Sequence, residues 1–153
     1  MTARIDPADI VEGAQLPHHP RTRAHTRHID DLAGCIRRLP TRSVPDGPLL
    51  PAFGYVRVST DAPDHVDDFA GLLKAWADAG NWHLVEVFRD VGVGTDELAR
   101  PGFAAPLEAL QQTPRATVLL PTPYHLSFEP DTGQILLDAI CETDARPEAL
   151  SEW

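Results

Sequence analysis

The stretch Phe53-Gly54-Tyr55-Val56-Arg57-Val58-Ser59-Thr60-Asp61 decides how this chain is read. An apolar, β-branched run ends at a small hydroxyl residue, and a helical pattern follows. That is the sequence form of a strand running into a strand-to-helix loop. In a parallel α/β sheet, sites form beyond the carboxyl ends of the strands, next to a topological switch point. Side chains alternate along a strand, so Arg57 and Ser59 point to the same side. A hydroxyl beside a guanidinium suits attack on a phosphate. The hydroxyl is the nucleophile, and the guanidinium offers a planar fork of donors to the phosphoryl oxygens. The same residues also make an ordinary strand end leading into a helix cap.

Around this stretch, residues 49–58 read as the first strand, with a Pro near its start where a missing donor matters least. A helix follows over 64–79. Val66, Phe69, Leu72, Leu73 and Trp76 form its buried stripe, and Gly80 is the expected C-cap. Trp82, Leu84, Val85, Val87 and Phe88 make a second strand. The loop over 90–102 holds Gly92, Gly94 and Gly102, but lacks the spacing and the third glycine of a dinucleotide fingerprint. A helix over 106–112, a strand over 116–120 and a helix over 131–141 come next. Ile135, Leu136, Ala139 and Ile140 form the buried stripe of that last helix. The final dozen residues are acidic and read as frayed. Alternating strands and helices with short loops specify an α/β domain, with a mainly parallel sheet flanked by helices and right-handed crossovers.

Residues 1–48 form an N-terminal extension of different character. The segment 18–28 has almost no apolar side chain and reads as a solvated arm. Its four histidines lack the Cys or acidic cluster that would complete a metal site. Arg21, Arg23 and Arg27 are its candidate nucleic-acid contacts. Ile29, Leu32, Ile36 and Leu39 then recur at spacings of three and four, which predicts a short amphipathic helix over 29–39. Pro40, Pro45, Pro48 and Pro51 mark a linker. The expected organisation is therefore an arm over 1–48, an α/β domain over 49–145 and an acidic tail over 146–153.

The bulk properties narrow the function. The 153 residues carry 13 basic and 23 acidic side chains, a formal net charge of −10. Phosphate affinity rests on Lys and Arg, so this balance argues against a general nucleic-acid coat. The charge is uneven: residues 1–48 hold seven Arg against six acids, and residues 49–153 hold six basic against seventeen acidic residues. Cys35 and Cys141 lie far apart and form no disulfide framework, which points to free thiols in a reducing cytoplasm. No apolar run reaches the length of a membrane span, no signal-peptide core is present at the N-terminus, and no cofactor motif is seen.

In this order the motifs resemble the catalytic domain of resolvase/invertase-type serine recombinases. Tyr55-Val56-Arg57-Val58-Ser59 matches the family pattern Y-x-R-V-S. Ala77-Asp78-Ala79-Gly80 closes the first helix as in the family, and Phe88-Arg89-Asp90 matches the second strand before its loop. Arg100-Pro101-Gly102-Phe103 matches an R-x-G-[FL] element, and Thr117-Val118-Leu119-Leu120 matches the third strand. The resemblance spans roughly residues 52 to 141. It implies a resolvase-like, flavodoxin-like three-layer fold. It also implies DNA cleavage by Ser59 through a phosphoseryl link, with strand exchange in a tetramer and without a cofactor. Ser59 takes the place of the nucleophile, and Arg57 and Arg100 those of two catalytic arginines.

The chain departs from the family just after the third strand. Where the family carries D-R-L-x-R, this sequence has Tyr124-His125-Leu126-Ser127-Phe128, so His125 and Phe128 replace two arginines. His125 would act as a substitute donor if its pKa were raised. Losing one charge-stabilising donor costs about 10²–10³-fold in rate, so cleavage is expected to be impaired. The family also continues into a long dimerisation helix and a helix-turn-helix reader. This sequence reads as ending after the helix at 131–141, leaving a sheet edge for the N-terminal 48 residues or a partner to cover. The expected partners are DNA and either further copies of the chain or an intact recombinase, with no membrane. The alternatives are a catalytically inactive domain for DNA or protein binding and regulation, and a different phosphate-directed enzyme on the same kind of sheet.

Overall fold

The computed structural model describes residues 23–39, 48–58, 63–92, 94, 98 and 100–151. Helix α1 spans Arg23–Arg37, and strand β1 spans Leu50–Val58. Helix α2 (Pro63–Gly80) and strand β2 (Trp82–Val91) follow, then helix α3 (Pro101–Gln111) and strand β3 (Thr117–Leu120). A 3-10 turn at Pro123–His125 leads to helix α4 (Pro130–Cys141) and strand β4 (Arg146–Ala149). The sheet order is β2-β1-β3-β4, and every pairing is parallel. The expected α/β class and the parallel sheet flanked by helices are what the structure has.

The order of the strands dictates where the helices lie. The chain moves from β1 outward to β2, then returns across β1 to β3 and goes on to β4. Right-handed crossovers therefore put α2 on one face, and α3 and α4 on the other. The core divides accordingly. Ala52, Val56 and Val58 of β1 pack with Val66, Phe69, Leu73 and Trp76 of α2. Phe53 and Tyr55 pack on the opposite side with Phe103 and Leu110 of α3 and Leu136 and Ile140 of α4. Gly54 lets α2 approach β1, because a Cβ there would sit 2.7 Å from the Leu73 Cδ1 atom.

This topology leaves one crossover helix on the α2 face for four strands. Helix α1 supplies a second. Its Leu32 is fully buried in the cluster that contains Leu119 of β3, and Leu150 packs against the same cluster. The described helix of the N-terminal extension thus packs on a sheet face. The helix also begins at Arg23, six residues before the apolar stripe that predicted it. His25 and His28 extend the stripe backward: both rings contact Phe69, at 5.5 and 5.8 Å between centroids. His25 also stacks on His65 and lies 3.0 Å from the Asp68 carboxylate. Residues 23–28 are therefore a packed helical turn and not a solvated arm. Among the described residues, no group of His, Cys, Asp and Glu could hold a metal ion, and no helix is long and apolar enough to cross a membrane.

Four further expectations are corrected. Residues 146–149 form β4 and hydrogen-bond to β3, so the chain continues as a strand where a frayed acidic tail was expected. Pro147 is tolerated because β4 is an edge strand. Helix α3 starts at Pro101, not at Pro106, because a Pro in the first turn costs no helical hydrogen bond. Ile135 is mostly exposed rather than buried. Finally, the left-handed residue after α2 is Asn81 and not Gly80. Gly80 is needed for a different reason, because a Cβ there would collide with the Trp82 ring.

The turns that follow α2, α3 and α4 each contain one residue with positive φ: Asn81 at 59°, Arg115 at 63° and Asp144 at 65°. Asn and Asp tolerate this conformation, whereas for a long side chain such as Arg115 it costs about 1 kcal/mol. Arg115→Asn is expected to raise stability by about 0.5 kcal/mol, measured as a higher urea midpoint with an unchanged slope. Leu32→Ala is expected to lower stability by about 2–4 kcal/mol if α1 is part of the cooperative core. A loss near zero would mean that α1 is docked only weakly.

Candidate active site at the carboxyl ends of the central strands

The switch point of the sheet lies between β1 and β3, whose carboxyl ends meet at Val58 and Leu120. Arg57 stands at this end of β1. It is 5% exposed, and its Nη2 donates to the Tyr124 carbonyl at 2.9 Å. Its backbone N–H donates to His125 Nδ1 at 3.2 Å. The turn that follows β3 is thereby fastened to the last residues of β1 by both the side chain and the main chain of Arg57.

Arg100 precedes α3 and is 3% exposed. It reaches the same region through Tyr55. The Tyr55 hydroxyl donates to Asp90 Oδ2 at 2.8 Å, and the Arg100 guanidinium lies close enough to act on the same phenol. Burial raises the Tyr55 pKa, and the hydrogen bond to Asp90 raises it further, so the phenol stays protonated. The other Asp90 oxygen accepts from the Gly102 backbone N–H at 2.7 Å, in the first turn of α3. Asp90 thus caps α3 from β2, which compensates for the lack of a side-chain cap at Arg100. A Cβ at position 102 would collide with the Arg89 carbonyl. The element Arg100-Pro101-Gly102-Phe103 therefore has a physical reading: helix start, close approach to β2, and Phe103 edge-on to Tyr55 at 5.2 Å. Tyr55 and Asp90 were both visible in the motifs, but their joint role was not, since 35 residues separate them.

The two guanidiniums influence each other. Burial lowers the Arg57 pKa, and the charge of Arg100 lowers it further. Beside Arg57 lies an open cleft of about 360 Å³, lined among others by His28, His65, Thr122, Tyr124 and Phe128. His28 from α1 and His65 from α2 carry no sequence signal that would have placed them there. Ser59 and Arg21 lie outside the described residues. Arg23 and Arg27 are exposed on α1, and neither lines the cleft.

His125 differs from the expected cationic donor. It is buried, it packs edge-on against Phe69 at 4.5 Å, and its Nδ1 accepts the Arg57 N–H. Desolvation and then the neighbouring Arg57 charge push its pKa down to about 3. The ring is neutral at neutral pH and acts as a strut between the β3 turn and β1. The unfolded chain takes up this proton near pH 6.5, while the folded chain resists it down to about 3. Stability is therefore complete above pH 6.5 and falls with pH between those values. The loss attributable to His125 is on the order of 2 kcal/mol at pH 5. His125→Asn keeps an acceptor for the Arg57 N–H and removes the titration. Urea unfolding at pH 5 and 7.5 should show a smaller pH dependence for this variant than for the parent chain.

Residues 52–139, more than half of the 153, match the family model described as the resolvase N-terminal domain. Comparison with curated proteins gives no match. Among solved structures, the chain is similar to the N-terminal catalytic domain of TP901-1 integrase. The identity is 24%, the alignment covers 65% of this chain and 76% of that one, and the TM-score is 0.57. It is also similar to the C-terminal catalytic domain of ISC1926 TnpA, an IS607-like serine recombinase. There the identity is 19%, the coverage 67% and 68%, and the TM-score 0.56. The structural likeness is one of fold, and the family match follows the sequence from β1 into α4. This chain belongs to the resolvase family of serine recombinases, through the N-terminal domain of that family.

Proposed function

We propose that the domain acts on DNA as a serine recombinase with a slow cleavage step. Ser59 attacks a backbone phosphate, a P–O bond to serine forms, and the bond to a deoxyribose oxygen breaks. The serine proton is lost, and the departing oxygen takes one up as a hydroxyl. One phosphate ester replaces another, so the reverse attack rejoins a strand without an external energy source. The observation that carries this reading is the pair of buried guanidiniums, Arg57 and Arg100, next to the switch point of a resolvase-type sheet. Two like charges close enough to lower the Arg57 pKa are relieved by an anion between or beside them.

The rate is held down by the turn after β3. His125 is neutral and its Nδ1 is occupied, and Phe128 has no donor. With two donor positions altered, cleavage is expected to run about 10⁴-fold or more below that of a site with all its arginines. Arg21, Arg23 and Arg27 are the proposed contacts to the DNA backbone, and the N-terminal segment and the α/β domain are proposed to work as one unit, with further copies of the chain or an intact recombinase as protein partners. A second reading, binding or regulation without cleavage, is favoured by the neutral state of His125.

Covalent capture decides between them. The full chain is incubated with supercoiled and nicked DNA, quenched with denaturant and resolved for protein–DNA adducts. A faint adduct that disappears in Ser59→Ala supports cleavage. No adduct from folded protein, with DNA retention intact, selects the binding role.

A further inference from the structure

Phe128 is 61% exposed, and its ring stacks on Tyr124 with centroids 4.6 Å apart and planes 17° from parallel. Both rings line the cleft that holds Arg57, His28, His65 and Thr122. The cleft therefore has two kinds of wall. One carries a guanidinium, the imidazoles of His28, His65 and His125 and a hydroxyl, groups that can donate to phosphoryl oxygens. The other is apolar: the ring of Phe128, 61% exposed and backed on one face by the half-buried Tyr124 ring. An exposed phenylalanine contributes little to the core, and stacking on Tyr124 holds this one as a plane.

A nucleotide carries the complementary pair of features, an anionic phosphate and a flat heteroaromatic base. The cleft volume of about 360 Å³ falls in the usual range of small-ligand sites, roughly 300–1,000 Å³. The faces of a paired base are covered by its neighbours in duplex DNA, so a base that lies on Phe128 must first leave the stack. Stacking also suits the charge of this chain. A net charge of −10 disfavours long tracking of the phosphate backbone, and a stacked base adds affinity that needs no cation. We propose that Tyr124 and Phe128 form a stacking platform for an unpaired nucleobase whose phosphate enters the Arg57 cleft. The domain accordingly prefers single-stranded or locally opened DNA to intact duplex. This rests on the reading of the Arg57 cleft as a phosphate site.

The test is fluorescence anisotropy with the full chain at low ionic strength. Three labelled ligands of equal length are compared: an oligothymidylate, an abasic deoxyribose-phosphate chain and a duplex. Oligothymidylate is expected to bind about tenfold more tightly than the abasic chain. Phe128→Ala should remove that preference, and Phe128→Trp should retain it. Because Phe128 is exposed, both variants are expected to keep the circular dichroism of the parent. Equal binding of thymidylate and abasic chains overturns the platform, as does a Phe128→Ala variant with its preference intact. Duplex binding that exceeds thymidylate binding overturns the platform and leaves the phosphate site standing. Absence of binding to all three ligands overturns both.

Discussion

The Asp90 carboxylate joins three parts of the fold that the sequence keeps apart. It lies at the end of β2, accepts the Tyr55 hydroxyl from β1 and accepts the first-turn N–H of Gly102 from α3. A carboxylate buried to this degree is tolerated only when such donors are in place. Each donor is itself constrained. Tyr55 is held between Phe103 and Arg100, and Gly102 must be glycine to come this close to the Arg89 carbonyl. Asp90 therefore sets where α3 begins, and the start of α3 sets where Arg100 stands. The position of one candidate site residue depends on a contact made two elements away.

On the other side of the switch point, Arg57 performs the corresponding task with donors in place of acceptors. Its main chain and side chain both bond to the turn after β3. The cost appears in His125. An imidazole that accepts an N–H next to a buried guanidinium, with Phe69 on its flank, has neither the solvation nor the counter-charge to be protonated. The residue that occupies an arginine position of the family pattern thus contributes shape and not charge. Phe128, at the second such position, turns its ring outward and stacks on Tyr124. The altered positions exchange electrostatic groups for a strut and an aromatic surface.

Helix α1 shows how an extension becomes part of a domain. Helix α2 alone is too narrow to cover four strands on its side of the sheet, and the apolar stripe of α1 fills the remaining space with Leu32. The docking also brings His28 to the cleft. A segment that completes the core therefore changes the lining of the site.

Periodicity and punctuation in the sequence specified the α/β class, the parallel sheet and the order in which its first three strands occur. They also specified the placement of Arg57 at a strand end, whereas the family was legible in the resemblance of Tyr55-Val56-Arg57-Val58-Ser59 and the motifs that follow it. These properties are local: a stripe at spacing 3.6, an alternation at spacing 2 and a glycine after a strand are each written within a few residues. The remainder arises between distant residues, in the folded chain alone. Strand β4 is legible in no side-chain pattern, since Arg146-Pro147-Glu148-Ala149 pairs through its backbone with β3. The first turn of α1 is held by His25 and His28 against Phe69, more than forty residues away. The charge state of His125 is set by burial and by Arg57, neither of which is encoded in its neighbours along the chain. Sequence specifies faces and breaks, whereas desolvation and long-range contact exist only once the chain has closed on itself.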